Sequence, residues 1–177
     1  TRVIVGGSSS TVTVKYKTSG AAQCLIPIGI DGSSRPIGIT PASGNSSAVT
    51  YTVVYTPGTP YNGGVLNWGL GLPAGTGAPI ESGVGVAHVN NHYYYDISRS
   101  AAVNASLKMG FEGLTEPSDA DKYIMHWSSG NNQWEKETGT RSAATGEVLV
   151  ANISSFSPFT QGSGGSALPV SYTHLTL

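Results

Sequence analysis

The sequence predicts an all-β fold: an antiparallel β-sandwich, immunoglobulin-like or jelly-roll-like, with one long loop rich in glycine and proline. Apolar and polar residues alternate with a period of two in several short segments, which is typical of half-buried strands. No segment combines a helical apolar period with helix caps. The 177 residues include 24 glycines and 10 prolines, so turns are expected at short intervals, as in a sandwich.

Four strands are predicted in the first third of the chain. In the clearest of them the large apolar residues share one face: Val49, Tyr51, Val53 and Tyr55. Pro27 interrupts another apolar run and, because proline has no backbone N–H, it favours a bulge or a sheet edge there. The turn Asp31–Ser34 separates the second and third of the four strands, which are Thr11–Lys17, Gln23–Gly29, Arg35–Thr40 and Ala48–Tyr55.

A long irregular section, Thr56–Ser82, follows and is too rich in glycine and proline for regular structure. Loops of this length are uncommon unless they cover the edge of a core or form a binding surface. Beyond it the predicted strands are Val84–Val89, His92–Ser98, Val103–Phe111, Lys122–Ser128, Gln133–Thr138, Glu147–Ile153 and Ser154–Gly162.

The strands Lys122–Ser128 and Gln133–Thr138 are expected to form a hairpin. The residues between them, Ser129–Asn132, have the sequence SGNN, which favours a turn. The resulting register predicts that Trp127 lies opposite Trp134.

The segment His92–Ser98, with the sequence HYYYDIS, is the densest aromatic cluster in the chain. Tyrosine favours strands and combines a large apolar ring with a hydroxyl group. The three rings could therefore form an exposed binding platform or fill a core. Strand alternation separates them: Tyr93, Tyr95 and Ile97 share one face, and Tyr94 and Asp96 share the other.

The composition excludes several classes of function. Charged residues are 11% of the chain and its net charge is −1, so the basic surface of a nucleic-acid-binding protein is missing. No apolar run approaches the length of a membrane span, so no membrane insertion is expected. Cys24 is the only cysteine, which leaves no internal disulfide, and its apolar neighbours favour a buried, inert thiol.

Two groups of residues contain side chains that can bind metal ions. His88, His92 and Asp96 are four residues apart, but four residues of a strand span about 13 Å, too far for a shared metal unless the chain turns at Asn90–Asn91. Four carboxylates in one loop could wrap a calcium ion, although their spacing does not match the helical calcium-binding loop and a solvated loop is the alternative: Glu112, Glu116, Asp119 and Asp121.

No group of residues in the sequence identifies a reaction that the chain could catalyse. The serine motif of the α/β-hydrolases is absent, and the acidic residues form no recognisable pair for glycoside hydrolysis. We therefore expect no catalytic residues and no enzymatic activity. The candidate ligand contacts are the rings of Tyr61, Trp68 and Tyr94, which would stack on sugars in a carbohydrate-binding module. Core and cross-strand packing is the alternative for such rings.

Five short motifs follow one another along Gln23–Val170: Ile26–Gly29, Arg35–Pro36, Tyr94–Asp96, Ser157–Thr160 with Gly162, and Leu168–Val170. Their order resembles a β-sandwich region of secreted Bacteroidetes proteins, which precedes the C-terminal sorting domain of the type IX secretion system. The family usually has tryptophan where this chain has Tyr95, and leucine where it has Gln161.

The resemblance implies a non-catalytic structural or adhesive module of a secreted or cell-surface, adhesin-like protein. Its partners would be other domains of the same polypeptide, and surface glycans or proteins. No catalytic residue carries over from the family. The tryptophan position places the face of Tyr93, Tyr95 and Ile97 in the core, and this leaves Tyr94, Asp96 and His92 as outward contacts.

The C-terminal segment differs from the rest of the chain. Its sequence, VSYTHLTL, resembles the translation of a transposase adapter used in sequencing libraries. We therefore expect residues 171–177 to derive from the adapter and His174 to have no functional role. The expected domain organisation is a single sandwich over residues 1–162 with a truncated N-terminus, and a linker over residues 163–170 towards a further domain.

Overall fold

The computed structural model describes residues 3–5, 12–30, 33–34, 36–42, 48–57, 80–86, 88–90, 93–110, 122–142 and 146–164. These residues form strands, turns and connections, and none of them is helical. The strands are β1 (Val3–Val5), β2 (Val12–Thr18), β3 (Cys24–Ile26), β4 (Ile28–Ile30), β5 (Ser33–Ser34), β6 (Ile37–Pro41), β7 (Val49–Pro57), β8 (His88–Val89), β9 (Tyr93–Arg99), β10 (Ala105–Gly110), β11 (Lys122–Ser128), β12 (Gln133–Lys136), β13 (Gly139–Ser142), β14 (Glu147–Ile153) and β15 (Pro158–Ser163).

Two antiparallel sheets pack face to face, which confirms the predicted β-sandwich. The smaller sheet has the order β13-β14-β10-β6-β3. The larger sheet has the order β12-β11-β15-β9-β7-β2, and β8 also pairs with β15. A third, three-stranded sheet has the order β1-β4-β5 and contains a parallel pair, β1 with β4.

The main core lies between the two sheets. Every second side chain of β7 and β9 is apolar and points from the larger sheet towards the smaller one. Every second side chain of β10 points from the smaller sheet towards the larger one. Burial of this kind contributes about 1.5–3 kcal/mol for each large apolar side chain. The inward residues of these three strands are at most 4% exposed: Val49, Tyr51, Val53, Tyr55, Tyr93, Tyr95, Ile97, Ala105, Leu107 and Met109.

Three tyrosine rings pack together at the centre of this core. The ring centroid of Tyr55 lies 5.3 Å from that of Tyr93 and 6.0 Å from that of Tyr95. Tyr93 and Tyr95 meet edge to face at 5.8 Å. Tilted and edge-to-face pairs are the favourable arrangements for aromatic rings. The prediction that the Tyr93/Tyr95/Ile97 face belongs to the core is confirmed.

A second apolar cluster lies on the opposite, outer face of the larger sheet. We call it the outer cluster, and it is covered by Ile80, Val86 and Val89. A parallel bridge joins Ile80 to Trp134, and the Glu81 N–H donates to the Trp134 carbonyl at 2.8 Å. The cluster consists of Tyr123, Met125, Trp127 and Trp134, with Tyr94 packed against it.

The predicted hairpin of β11 and β12 is confirmed. Trp127 and Trp134 are paired across the two strands, and their rings meet edge to face with centroids 5.4 Å apart. Ser129–Asn132 forms the turn, in which Asn132 has a φ of 51°, a left-handed conformation that asparagine tolerates better than most residues.

The predicted strand Gln23–Gly29 is divided into β3 and β4 at Pro27. β3 is the edge of the smaller sheet, as the proline predicted, whereas β4 joins the three-stranded sheet. Proline cannot donate to a ladder, so the chain changes partners at this residue. Among the other bounds, the largest differences from the prediction are that β15 begins at Pro158 rather than Ser154 and that Val84–Val86 is not a strand.

A buried polar group connects the two sheets at one end of the core. Gln161 is fully buried, and its Oε1 accepts a hydrogen bond from Asn90 Nδ2 at 2.9 Å. Its Nε2 donates to the Gly110 carbonyl at the end of β10, at 3.4 Å. Thr160 Oγ1 donates to the Tyr93 carbonyl at 2.9 Å. These bonds satisfy polar atoms that would otherwise be costly to bury, so an amide is tolerated where the resemblance expects leucine.

Candidate functional site

Tyr94 is the one predicted ligand contact that falls within the described residues. It is half-buried on the outer face of the larger sheet, where it packs against the outer cluster. Tyr61 and Trp68 lie outside the described residues, as does His92. Asp96 follows Tyr94 on the same face and is exposed, as predicted.

The neighbours of Tyr94 and Asp96 form a surface that we call the hydroxyl face. It extends over β9, β7 and β2, whose antiparallel register places Ser98 beside Thr52 and Thr52 beside Lys15. On this face the side chains of β2 are exposed, as are Asp96 and Ser98 of β9, whereas Tyr94 and the side chains of β7 are half-buried. The hydroxyl face comprises Thr13, Lys15, Lys17, Thr50, Thr52, Val54, Thr56, Tyr94, Asp96 and Ser98.

The chemistry of the hydroxyl face suits hydrogen bonding to a polar, flat partner. Strand spacing is about 4.8 Å, so three strands present hydroxyl groups over a surface about 10 Å wide. Two lysines lie at its β2 edge and one carboxylate, Asp96, lies on β9. Lysines on an edge strand also discourage pairing with another sheet.

The predicted calcium ligands lie outside the described residues: Glu112, Glu116, Asp119 and Asp121. His88 contributes backbone pairing to β8, opposite Ser163. Within the ranges that the structure describes, no three histidine, cysteine or carboxylate side chains come together as a metal site would require.

The structure also brings together three side chains that the sequence analysis did not connect. His126 Nε2 lies 2.5 Å from Ser157 Oγ, and His126 Nδ1 lies 3.1 Å from Glu137 Oε1. Ser157 Oγ is also 2.7 Å from the Trp127 carbonyl oxygen. A serine, a histidine and a carboxylate therefore form one hydrogen-bonded chain.

Each member of this group comes from a different part of the larger sheet. His126 is in β11, Glu137 directly follows β12, and Ser157 directly precedes β15. The hairpin register offered one signal, because it places His126 opposite Glu135 and within reach of the next carboxylate on the same face. The position of Ser157 depends on pairing between β11 and β15, which local sequence patterns do not specify.

A second carboxylate adds to the negative potential around His126. The amide of Asn131 donates to Glu135 Oε1 at 2.7 Å, and this hydrogen bond is the main cause of the lowered pKa of Glu135. Hydrogen bonds from Ser128 and Gln133 and the charge of His126 lower this pKa further, whereas burial opposes them. Glu135 therefore stays ionised beside the imidazole at neutral pH.

Cys24 is half-buried in β3, where it packs against the core, and burial raises the pKa of its thiol. A raised pKa lowers the fraction of reactive thiolate at a given pH. We expect the native chain to react with a disulfide reagent at pH 8 about tenfold more slowly than the urea-unfolded chain. The absorbance of the released thiol reports the rate, and Cys24 is the only cysteine. Equal rates in the two states would contradict an inert thiol.

The fold and its surfaces define an all-β protein built on a two-sheet sandwich. No family model, no curated protein and no solved structure matches the chain. Among the residues described by the structure, no helix has the length and apolar character needed to cross a membrane.

Proposed function

We propose that the chain is a structural or adhesive β-sandwich module of a secreted or cell-surface bacterial protein. The main support is that its large aromatic residues are packed inside two apolar clusters. Tyr55, Tyr93 and Tyr95 fill the main core, and Trp127 and Trp134 fill the outer cluster. Rings packed on both faces of one sheet stabilise a rigid unit, which suits a module that spaces or docks other domains of the same polypeptide.

The adhesive contact is assigned in this proposal to the hydroxyl face. It is the outer surface of three long antiparallel strands, and it carries threonine and serine hydroxyls beside Lys15, Lys17 and Asp96. A surface of this kind can form hydrogen bonds to glycans or proteins through its hydroxyls and its charged groups. The low charge of the whole chain, 11%, is consistent with export.

A carbohydrate-binding module is the second candidate, and the position of Tyr94 favours it. The ring is half-buried, so part of it reaches the surface, and Asp96 is exposed two residues further along the same face. An aromatic ring beside a carboxylate can stack on a sugar and accept hydrogen bonds from its hydroxyl groups. Trp68 and Tyr61 belong to the same proposal as stacking rings.

Localisation tests the leading proposal. The complete reading frame would be expressed in a Bacteroidetes host with and without a working type IX secretion system, and surface-exposed chain would be detected with an antibody on intact cells. We expect surface staining in the first strain and its loss in the second. Equal staining in both strains, or protein confined to the cytoplasm, would count against the proposal.

Polysaccharide binding tests the second candidate. Purified chain would be applied to a panel of immobilised polysaccharides, together with Tyr94→Ala, Trp68→Ala and, as a control on the exposed part of β13, Thr140→Ala. If sugar stacking occurs, the alanine variants of the rings should bind about 10-fold or more weakly, because each loses the apolar ring face on which the sugar would pack. Absence of retention on every polysaccharide would reject this candidate.

A further inference from the structure

We propose that Ser157 is a nucleophile, with His126 as its general base and Glu137 as the residue that orients the base, and that this site transfers the acyl group of activated carboxylic esters. This activity is additional to the structural role proposed above. It disagrees with the expectation from the sequence that the chain has no enzymatic activity. It rests on two distances: 2.5 Å from Ser157 Oγ to His126 Nε2 and 3.1 Å from His126 Nδ1 to Glu137 Oε1. A triad is recognised by such geometry and by the roles of its members, not by their order in the chain.

The base is held in position from two sides. The imidazole ring of His126 stacks on the ring of Phe159, with centroids 4.5 Å apart and planes 8° from parallel. The Glu137 N–H donates to the Ile124 carbonyl at 3.0 Å, which fixes the backbone of the carboxylate. A proton-transfer site requires rigid support of this kind, because a small displacement of the base greatly lowers the rate of the reaction.

The connection that carries Ser157 is also fixed. Arg99 donates from Nη2 to the Ser154 carbonyl at 2.7 Å, and its guanidinium lies 4.9 Å from the centre of the Phe156 ring. The same guanidinium donates to the Val103 carbonyl. The residues directly before Ser157 are therefore anchored to Arg99, and β15 begins directly after the serine.

Proton accounting supports the assignment of roles. When Nδ1 carries the proton and donates a hydrogen bond to the Glu137 carboxylate, Nε2 has a free lone pair. The Ser157 hydroxyl then has one proton and two acceptors, His126 Nε2 and the Trp127 carbonyl at 2.7 Å. Transfer of that proton to Nε2 is what creates a nucleophilic alkoxide.

The surroundings of Ser157 define which esters can react. Ser157 is half-buried, so only part of its side chain is open to a small substrate, and Ser154 and Ser155 before it are exposed. The next residue is Pro158, which has no N–H, whereas hydrolases often stabilise the oxyanion with the N–H of this residue. Such a donor is worth about 10²–10³ in rate. The substrate class is therefore small esters with good leaving groups, such as aryl esters, rather than amides.

The reaction balances without any further reagent than water. The Ser157 Oγ–H bond breaks, its proton moves to His126 Nε2, and Oγ bonds to the ester carbonyl carbon. The bond from that carbon to the phenolic oxygen breaks, and the phenol leaves with the proton from His126. Water then attacks the acyl-serine by the same route, which releases the carboxylic acid and restores the serine.

A serine-directed fluorophosphonate tests the proposal on the purified full chain. The phosphorus–fluorine bond is replaced by a bond to Ser157 Oγ, and intact-mass and peptide mass spectrometry would locate the adduct. We expect one adduct at Ser157, formed at least about 100-fold faster in the native chain than in the urea-unfolded chain. Wild-type labelling with no preference for Ser157, or equal rates in the native and unfolded states, would overturn the proposal.

Two variants separate a nucleophile from a structural hydroxyl. Ser155→Ala, which removes an exposed neighbouring hydroxyl, should leave labelling unchanged, whereas Ser157→Ala should abolish it. Glu137→Gln should slow labelling about 10²–10⁴-fold, by analogy with loss of the orienting carboxylate in other triads.

The pH profile gives a readout that a structural role would not change. The charged groups that face His126 are Glu137 and Glu135. Labelling should fall at acidic pH, because only an unprotonated imidazole can accept the proton of the serine hydroxyl. A flat profile in the wild-type chain would overturn the assignment of His126 as the base.

Discussion

Replacement of Tyr95 by alanine should lower the free energy of unfolding by about 3–5 kcal/mol. The side chain is 1% exposed, and its ring packs edge to face against Tyr93 at 5.8 Å and against Tyr55 at 6.0 Å. Truncation removes this contact area and leaves a cavity that the two neighbouring rings, each fixed in its own strand, can fill only in part. A loss of this size is a large fraction of the stability of an ordinary domain.

Urea unfolding followed by far-ultraviolet circular dichroism measures this loss. Asp96→Ala provides a matched control, because Asp96 is the next residue of the same strand and is exposed. We expect that variant to differ from the wild type by no more than about 0.5 kcal/mol. If Tyr95→Ala were as close to neutral as Asp96→Ala, the packing of the tyrosines described above would be wrong.

The two faces of the tyrosine strand could be predicted because alternation is a local property. A residue and its second neighbour always share a face of a strand, so one buried position decides the others. The same reasoning predicted the row of Val49, Tyr51, Val53 and Tyr55, all of which are at most 1% exposed. The hairpin register that pairs Trp127 with Trp134 was predictable for a similar reason, because a four-residue turn fixes it.

Features that depend on distant parts of the chain were not predictable in this way. β13 was missed because Gly139–Ser142 has no apolar alternation, and it is a strand through its pairing with β14. An added Cβ at Gly139 would lie 2.8 Å from the Leu149 carbonyl oxygen, so the pairing needs a glycine there. The sequence predicted an interruption of the strand at Pro27. It could not predict that β3 and β4 join different sheets, because that depends on the strands with which each of them pairs.

The candidate site was predictable only in part. Alternation placed Tyr94 and Asp96 on the outer face, but it did not show that Tyr94 packs against the outer cluster. The group of His126, Glu137 and Ser157 depends on pairing of β11 with both β12 and β15. A search for local serine motifs cannot detect such a group, since its members meet only after three strands have aligned. The family resemblance stays a prediction.

Replacement of Trp134 by alanine should also lower the free energy of unfolding by about 3–5 kcal/mol. The side chain is fully buried in the outer cluster and packs edge to face against Trp127. Its Nε1 has no hydrogen-bond partner within the described residues. Trp134→Phe therefore removes no hydrogen bond present in this part of the structure and should cost only about 1–2 kcal/mol, through lost volume.

Comparison of the two substitutions shows what holds the outer cluster together. When Trp68 is also replaced by phenylalanine, the tryptophan fluorescence of the Trp134 variants comes from Trp127 alone and reports on the cluster. Far-ultraviolet circular dichroism reports on the sheets as a whole. We expect the two signals to lose structure at the same urea concentration, because β11 contributes Trp127 to the outer cluster and Ile124 to the main core. Coincident transitions would show one cooperative unit.

If fluorescence changed first in Trp134→Ala, the outer cluster would be a separate, weaker unit. If Trp134→Phe were as unstable as Trp134→Ala, ring volume alone would not explain the stability of the cluster.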